Sequence, residues 1–273
     1  MLKPEQIERY SRQILLREIG GQGQQKLLSS KVLVVGVGGL GSPSALYLAA
    51  AGVGTLGLID HERVELSNLQ RQILHDSGDV GQPKVESAIK KLAALNPEVK
   101  LIAHSEKLSS ANALAILKNY DLIVDGSDNF PTRYLVNDAC VILKKPNVFG
   151  SILRFEGHVT VFAPGGPCYR CLFPTPPTPG TVPTCAEAGV LGTVTGLIGT
   201  LQANEALKLL LGLQPTLVGK LLLVDALNLR FEEIQLTKNP ECSVCGTRPS
   251  IKKLIDYEEF CGSAPTSHAS KSI

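Results

Sequence analysis

Residues 32–43 read VLVVGVGGLGSP: four apolar residues, glycines at 36, 38, 39 and 41, then serine and proline. A β-branched run that stops at a glycine reads as a buried strand entering a tight turn. Gly36, Gly38 and Gly41 carry the spacing G-x-G-x-x-G, with Gly39 as a fourth glycine. That spacing lets backbone amides approach a phosphate and lets the next helix pack close to the strand. Strand, glycine turn and helix in this order open a nucleotide-binding α/β sheet.

Outward from this stretch, strands are expected at 31–36, 55–60, 100–105, 121–127 and 147–152, separated by helices at 42–52, 84–96, about 109–119 and 131–145. Such alternation is the pattern of a parallel sheet with helices on both faces. After residue 150 come strands at 156–163, 220–226 and 230–238 around one apolar helix at about 188–213. The fold class is therefore α/β, a Rossmann-like mixed sheet with helices on both faces and a more antiparallel C-terminal half. Residues 1–30 read as helical, with Ile7, Tyr10, Ile14 and Leu15 on one face and Gly20, Gly21 and Gly23 ending the segment. No linker divides residues 1–262, which read as one domain, and the small polar tail 263–273 reads as disordered.

Of the 273 residues, 44% are hydrophobic and 19% charged, enough to bury one large core. The formal charge of +2 comes from scattered basic residues, which excludes the footprint of a nucleic-acid binder. The charged, amphipathic N-terminus is unlike a secretory signal, and the uncharged runs 32–59 and 188–204 break into core elements rather than membrane spans. A cytoplasmic location is expected.

Asp60 closes the second strand 19 residues after Gly41, where a carboxylate accepts from ribose hydroxyls. Arg71 follows in the next loop, Lys84 starts the next helix, and Asp128 lies just past the fourth strand, so all four side chains face the crevice at the strand ends. The cations suit a triphosphate and Asp128 suits its magnesium, whereas a dinucleotide enzyme needs few fixed cations there. On spacing alone other readings stay open: solvated charges at 71 and 84, Asp128 or Asn129 as a helix cap, and an NAD-dependent oxidoreductase. The five histidines are scattered; none is assigned to catalysis, and His61 and His75 read as polar packing or surface groups.

Seven cysteines include two C-x-x-C pairs, Cys168 with Cys171 and Cys242 with Cys245. Four thiolates in two knuckles suit tetrahedral zinc with no open position, a structural site tying the 168–171 segment to the C-terminal one. A redox dithiol is the rival reading. Cys140 reads as core, and Cys261 has no evident partner.

RYSRQILL, VGVGGLGSP, AGVGTLGLID, VELSNLQRQILH, DVGQPKV, DGSDNFPTRYLVND, GPCYRCLFP, TCAEAGV and NPECSVCG, in this order and spacing over about residues 5–262, resemble the MoeB/ThiF adenylyltransferases, relatives of the ubiquitin-activating enzymes. The resemblance implies a homodimer that adenylates the C-terminal glycine of a ubiquitin-fold sulfur-carrier protein ending in Gly-Gly, using ATP and magnesium. It assigns ATP contacts to the turn Gly36, Gly38, Gly39 and Gly41, to Asp60, to Ser67, Asn68, Leu69, Gln70 and Arg71, and to Lys84, Asp128 and Asn129. Arg12 resembles the arginine that reaches the phosphates of the neighbouring subunit. Catalysis would thus fall to Arg12, Arg71, Lys84 and Asp128. Cys185 matches a cysteine that takes part in sulfur transfer in some relatives and is dispensable in others, so a catalytic role there stays open.

The resemblance also divides the domain into N-terminal helices (1–30), a nucleotide-binding half (31–150) and a carrier-binding and zinc half (151–262). Two departures stand out. Where many relatives read D-x-D, this chain has Asp60-His61-Glu62, and Glu62 is left out of the site. LIDYEEFCG resembles the segment leading into a rhodanese domain in longer members, so here sulfur is expected from a separate donor, a cysteine desulfurase or a rhodanese. A non-catalytic module that docks a ubiquitin-like protein is the remaining alternative.

Overall fold

The computed structural model describes residues 1–178, 180–182 and 185–262, without the side chains of Cys185 and Ala186; the expected disordered tail, 263–273, lies outside them. β1 (Lys31–Val35) stands near the middle of one eight-stranded sheet, buried along its last four residues. Its neighbours are β2 (Thr55–Ile59) and β4 (Leu122–Asp125); β3 (Lys100–His104) lies beyond β2, and β5 (Asn147–Leu153) beyond β4. These five strands are parallel. β6 (Glu156–Phe162), β7 (Lys220–Asp225) and β8 (Arg230–Gln235) then add antiparallel pairs, giving the order β3-β2-β1-β4-β5-β6-β7-β8. All eight strands expected from the sequence are present.

Side chains alternate across β1, and each face has its own core. Val32 and Val34 pack under α4 (Gly41–Ala50), α5 (Lys84–Leu95) and α10 (Gly192–Leu211); Leu33 and Val35 pack under α6 (Ala113–Leu117) and α7 (Phe130–Leu143). The strand order reverses between β1 and β4, and at such a switch point the loops leaving the two strands diverge and open a crevice.

The N-terminal region departs from expectation. The chain bends at Tyr10 between α1 (Pro4–Arg9) and α2 (Ser11–Ile14), and Gly20, Gly21 and Gly23 do not end the helical segment but open α3 (Gly20–Ser29). Gly23 is helical because it packs against Leu211 of α10, where even a methyl group would crowd at 3.0 Å. Tyr10 alone of the expected apolar face is buried, its hydroxyl accepting from Asn96 Nδ2 at 2.9 Å; Ile7 and Leu15 are exposed. The helix expected at 109–119 shrinks to α6, and the one at 188–213 begins at Gly192, preceded by short α8 (Tyr169–Leu172) and α9 (Cys185–Ala188). A last short helix, α11 (Tyr257–Phe260), rests on α7. Among the described residues no helix is long and apolar enough to cross a membrane.

Candidate active site and metal centre

The glycine turn leaves β1 at Gly36, whose φ of 80° is left-handed, and doubles back so tightly that a Cβ on Gly41 would sit 1.9 Å from the Gly36 carbonyl oxygen. Only glycine fits at 41. Four elements grip the turn. Asp60 Oδ2, at the end of β2, accepts from Val37 N at 2.8 Å, while its Oδ1 accepts from Glu62 N at 2.9 Å. His75 bridges Val37 O (3.0 Å) and Ser87 Oγ of α5 (2.8 Å); burial holds its pKa below the ordinary imidazole value, so it packs as a neutral group. The loop after β4 lies against Gly36 and Gly41 through Gly126, and Thr195 of α10 closes on Gly39.

The cationic loop is built by a one-turn helix, Leu66–Asn68, in which Asn68 is buried and accepts from Glu65 N at 3.2 Å. Arg71 Nη1 donates to Ser67 O at 3.0 Å, which fixes the guanidinium beside the turn. Gln70 lies against Gly192 at the start of α10, and Leu69 is half-buried beside it. A bridge between Arg63 and Pro83 brings the end of this loop back to β2, so that Lys84, 3% exposed, meets Glu62 with Nζ to Oε2 at 2.5 Å. Burial raises the Glu62 pKa, but the hydrogen bond and charge of Lys84 outweigh it and hold the carboxyl below its ordinary value.

Beyond β4, Asp125 is 1% exposed; its Oδ1 accepts from Ser127 N and Oγ at 3.0 and 2.6 Å, and burial pushes its pKa up. Those bonds set the loop that carries exposed Asp128. Asn129 is the N-cap of α7, its Oδ1 accepting from Thr132 N at 2.9 Å, so the capping role is real for Asn129 and not for Asp128. The structure thus gathers the glycine turn, Asp60, residues 67–71, Lys84, Asp128 and Asn129 around the C-terminal ends of β1, β2 and β4. It does not bring Arg12 there: exposed Arg12 sits on α2, whose Gln13 bonds Ala51 O past the far end of α4. Cys185 opens α9, and its side chain lies outside the described residues.

Sequence reading leaves Glu62 out of the site and misses Thr195, whereas His75, expected as polar packing or a surface group, is a buried packing group. Glu62 and Lys84 are 22 positions apart, and only the loop's return past β2 makes them partners. The two partners of His75 come from separate elements, the glycine turn and α5, which no local spacing announces.

At the sheet's other end, the four cysteine sulfurs of Cys168, Cys171, Cys242 and Cys245 lie within 4.8 Å of one another. Cys168 and Cys242 are 3.6 Å apart and Cys171 and Cys245 3.4 Å, near the sulfur separation of about 3.8 Å that four bonds of about 2.3 Å impose around tetrahedral zinc. Asn239 N donates to Cys171 Sγ at 3.3 Å, an interaction that favours a thiolate. The donor set fits a closed structural zinc site. Just beneath it, Arg170 is buried in a pair with Asp138.

A glycine turn gripped at a topological switch point, with fixed cations and an exposed carboxylate around it, defines a nucleotide-binding α/β protein equipped for phosphate chemistry. The chain belongs to the ThiF family, whose model matches residues 10–244. It is 54% identical over 264 residues to a sulfur carrier protein adenylyltransferase of Thermus thermophilus, covering 94% of this chain and 97% of that one. It is also 54% identical over 267 residues to the adenylyltransferase and sulfurtransferase MOCS3 of Aedes aegypti, covering 97% of this chain but 61% of that longer relative. Among solved structures, Escherichia coli MccB with ATP superposes with a TM-score of 0.75 at 25% identity, over 87% of this chain and 74% of that one.

Proposed function

We propose that this protein is an ATP-dependent adenylyltransferase that activates the C-terminal glycine carboxylate of a ubiquitin-fold sulfur-carrier protein. The observation that carries the reading is the convergence of the glycine turn, Asp60, Arg71, Lys84 and Asp128 on one crevice at the ends of β1, β2 and β4. The Thermus relative, matched almost end to end, supports the substrate class, and the ATP in MccB supports the nucleotide.

A carboxylate oxygen of the carrier attacks the α-phosphorus of ATP, the bond to the bridging oxygen breaks, and pyrophosphate leaves with that electron pair. No proton moves, so no general base is required; the barrier is charge. Turn amides and the helix start at Gly41 receive phosphate oxygens, and Asp60 accepts from ribose hydroxyls. Arg71 and Lys84 neutralise the polyanion that the incoming carboxylate must approach and stabilise charge on the departing pyrophosphate. Asp128 would hold a magnesium ion, which would neutralise phosphate charge. Ser67, Asn68, Leu69 and Gln70 shape the loop that presents Arg71.

Within the single domain, residues 31–150 form the nucleotide half and 151–262 the carrier-binding and zinc half, with zinc on Cys168, Cys171, Cys242 and Cys245. Arg12 lies at the far end of α4 from its own crevice, which supports a homodimer in which it serves the other subunit's ATP. A separate donor supplies sulfur to the activated carrier, for molybdopterin, thiamine or tRNA thiolation, in the cytoplasm. Cys185 is the candidate for a covalent step with the carrier.

ATP–pyrophosphate exchange with magnesium, run against each small ubiquitin-fold protein of the same cell that ends in Gly-Gly, tests the proposal. Carrier-dependent exchange abolished by Asp128→Ala is expected. Measurable ATP binding without exchange for any carrier would overturn it in favour of a docking role.

A further inference from the structure

At the end of the sheet opposite the glycine turn, a cavity of about 260 Å³ opens between the C-terminus of α7, the start of β5 and the end of β6. Lys144, Lys145 and Lys238 line it with Cys168 and Cys245 of the four-cysteine centre, and no aspartate or glutamate does. Lys144 and Lys145 form no ion pair among the described residues, and Lys238 Nζ donates only to Gly165 O, at 3.3 Å. Behind them lies Asn147, 1% exposed, whose Oδ1 is buried with no hydrogen-bond partner. Asn147 shares a face of β5 with Phe149, which packs in the core under α7, so its carboxamide is turned to the side where the cavity lies.

A buried amide without a partner carries a free-energy cost that a bound group relieves. The space far exceeds the roughly 10–15 Å³ that one water needs. Three ammonium groups, set against two cysteines of the zinc centre and no carboxylate, favour a multiply charged anion, while Val141, Phe162 and Val244 give it apolar walls. The carboxamide both donates and accepts, so the ligand has to offer acceptors and a hydroxyl donor. Phosphate in its monoprotonated form offers both.

We propose that this cavity binds a phosphate group, as the free ion or as the head of a small phosphomonoester, through Lys144, Lys145, Lys238 and the Asn147 amide. The site is separate from the nucleotide crevice, and the proposal is independent of the adenylylation reading.

The test reads position as well as binding. Zinc-loaded protein is treated with acetic anhydride across a titration of inorganic phosphate and, separately, of glycerol phosphate, and acetylation of Lys145 is measured by peptide mass spectrometry against Lys118, which does not line the cavity. Saturable protection of Lys145 alone is expected. Asn147→Leu replaces an unpaired buried amide with an apolar side chain of similar size, so it should retain the wild-type melting temperature. It should raise the half-protecting concentration by about tenfold or more, as should Lys238→Gln, an exposed change that leaves the fold intact. Stronger protection by the ester than by the ion assigns the ester as ligand, and the reverse assigns the free ion. Acetylation of Lys145 that ignores phosphate, or protection unchanged in both variants, overturns the proposal.

Discussion

Replacing Arg170 with methionine removes the cation from a pair sealed on every side. Arg170 is 2% exposed and Asp138 0%. Their three contacts are 2.9, 3.1 and 2.9 Å long, a bidentate fork that also lies over the rings of Tyr134 and Phe260 at 4.8 and 4.5 Å. Tyr257 donates to the same carboxylate at 2.8 Å and Asn137 Nδ2 at 2.9 Å. Without the arginine, Asp138 keeps two neutral donors but loses its counter-charge, and a buried ion pair broken from one side costs about 3–5 kcal/mol. For a domain of this size that lowers the melting temperature by about 6–20 °C. The unfolding of wild type and variant should be compared at equal protein concentration with zinc in excess, because partner and metal binding both shift the transition.

The double variant Asp138→Leu with Arg170→Met separates the pair's net worth from the penalty of an orphaned charge. It should recover most of the loss, leaving about 1–2 kcal/mol for the unpaired Tyr257 hydroxyl and Asn137 amide, of which a further Tyr257→Phe removes the first. A single Arg170→Met variant within about 1 kcal/mol of wild type would refute the reasoning, since water would then have to reach a carboxylate that the structure shuts off.

Four further outcomes are expected. Gly57→Ala places a Cβ 2.1 Å from the Tyr120 hydroxyl, which is fixed by His104 Nε2 at 2.9 Å, and should cost at least about 1–3 kcal/mol by denaturant midpoint; a change below 0.5 kcal/mol on the same order-of-magnitude scale would mean that the ring yields freely. Glu62→Gln should lower stability of the free protein yet tighten ATP binding measured by calorimetry, because the triphosphate replaces the lost partner of Lys84; weaker binding would make Glu62 a positioning group instead. Burial lowers the pKa of His75, His104 and His158, so their contribution to stability is full above the unfolded value of about 6.5 and is lost as pH falls toward the lower folded values; a denaturant midpoint flat between pH 7.5 and 5.5 would contradict this. Chelating zinc should loosen the 168–171 and 242–245 segments before it affects ATP binding, and freshly purified protein without zinc would count against the four-cysteine site.

The strands and the fold class were legible because the informative signals are local. Val32 to Val35 declare a buried strand, and Gly36 to Gly41 declare the turn that must follow it. The four cysteines were legible for the same reason, since each pair carries its spacing within four residues. What the chain hid depends on tertiary approach. Gly20, Gly21 and Gly23 look like helix breakers until α10 arrives to pack on Gly23. Glu62 looks like a spare carboxylate until the loop returns Lys84 to it, and Arg170 within Cys-Tyr-Arg-Cys looks like a surface charge until Asp138 and Tyr257 enclose it. Pairings between residues 22, 32 and 119 positions apart leave no periodic trace.

The crevice is largely set before any ligand enters it. The turn is held by Asp60, His75 and the β4 loop, Arg71 by Ser67, and the Asp128 loop by Asp125 and the α7 cap. None of these bonds uses the amides of Gly38 or Gly39 as donor, so phosphates can meet those two amides without breaking one, while Val37 N stays with Asp60. Lys84 is different. Its ammonium is buried and already paired, so a nucleotide gains it only by competing with Glu62, which is itself more than half exposed and free to turn into water. The exchange costs little on the Glu62 side and returns a charge-assisted bond on the other. A lysine paired with a displaceable carboxylate is thus delivered to the phosphates without ever being left buried alone, which is the condition a buried cation must meet to serve a ligand that comes and goes.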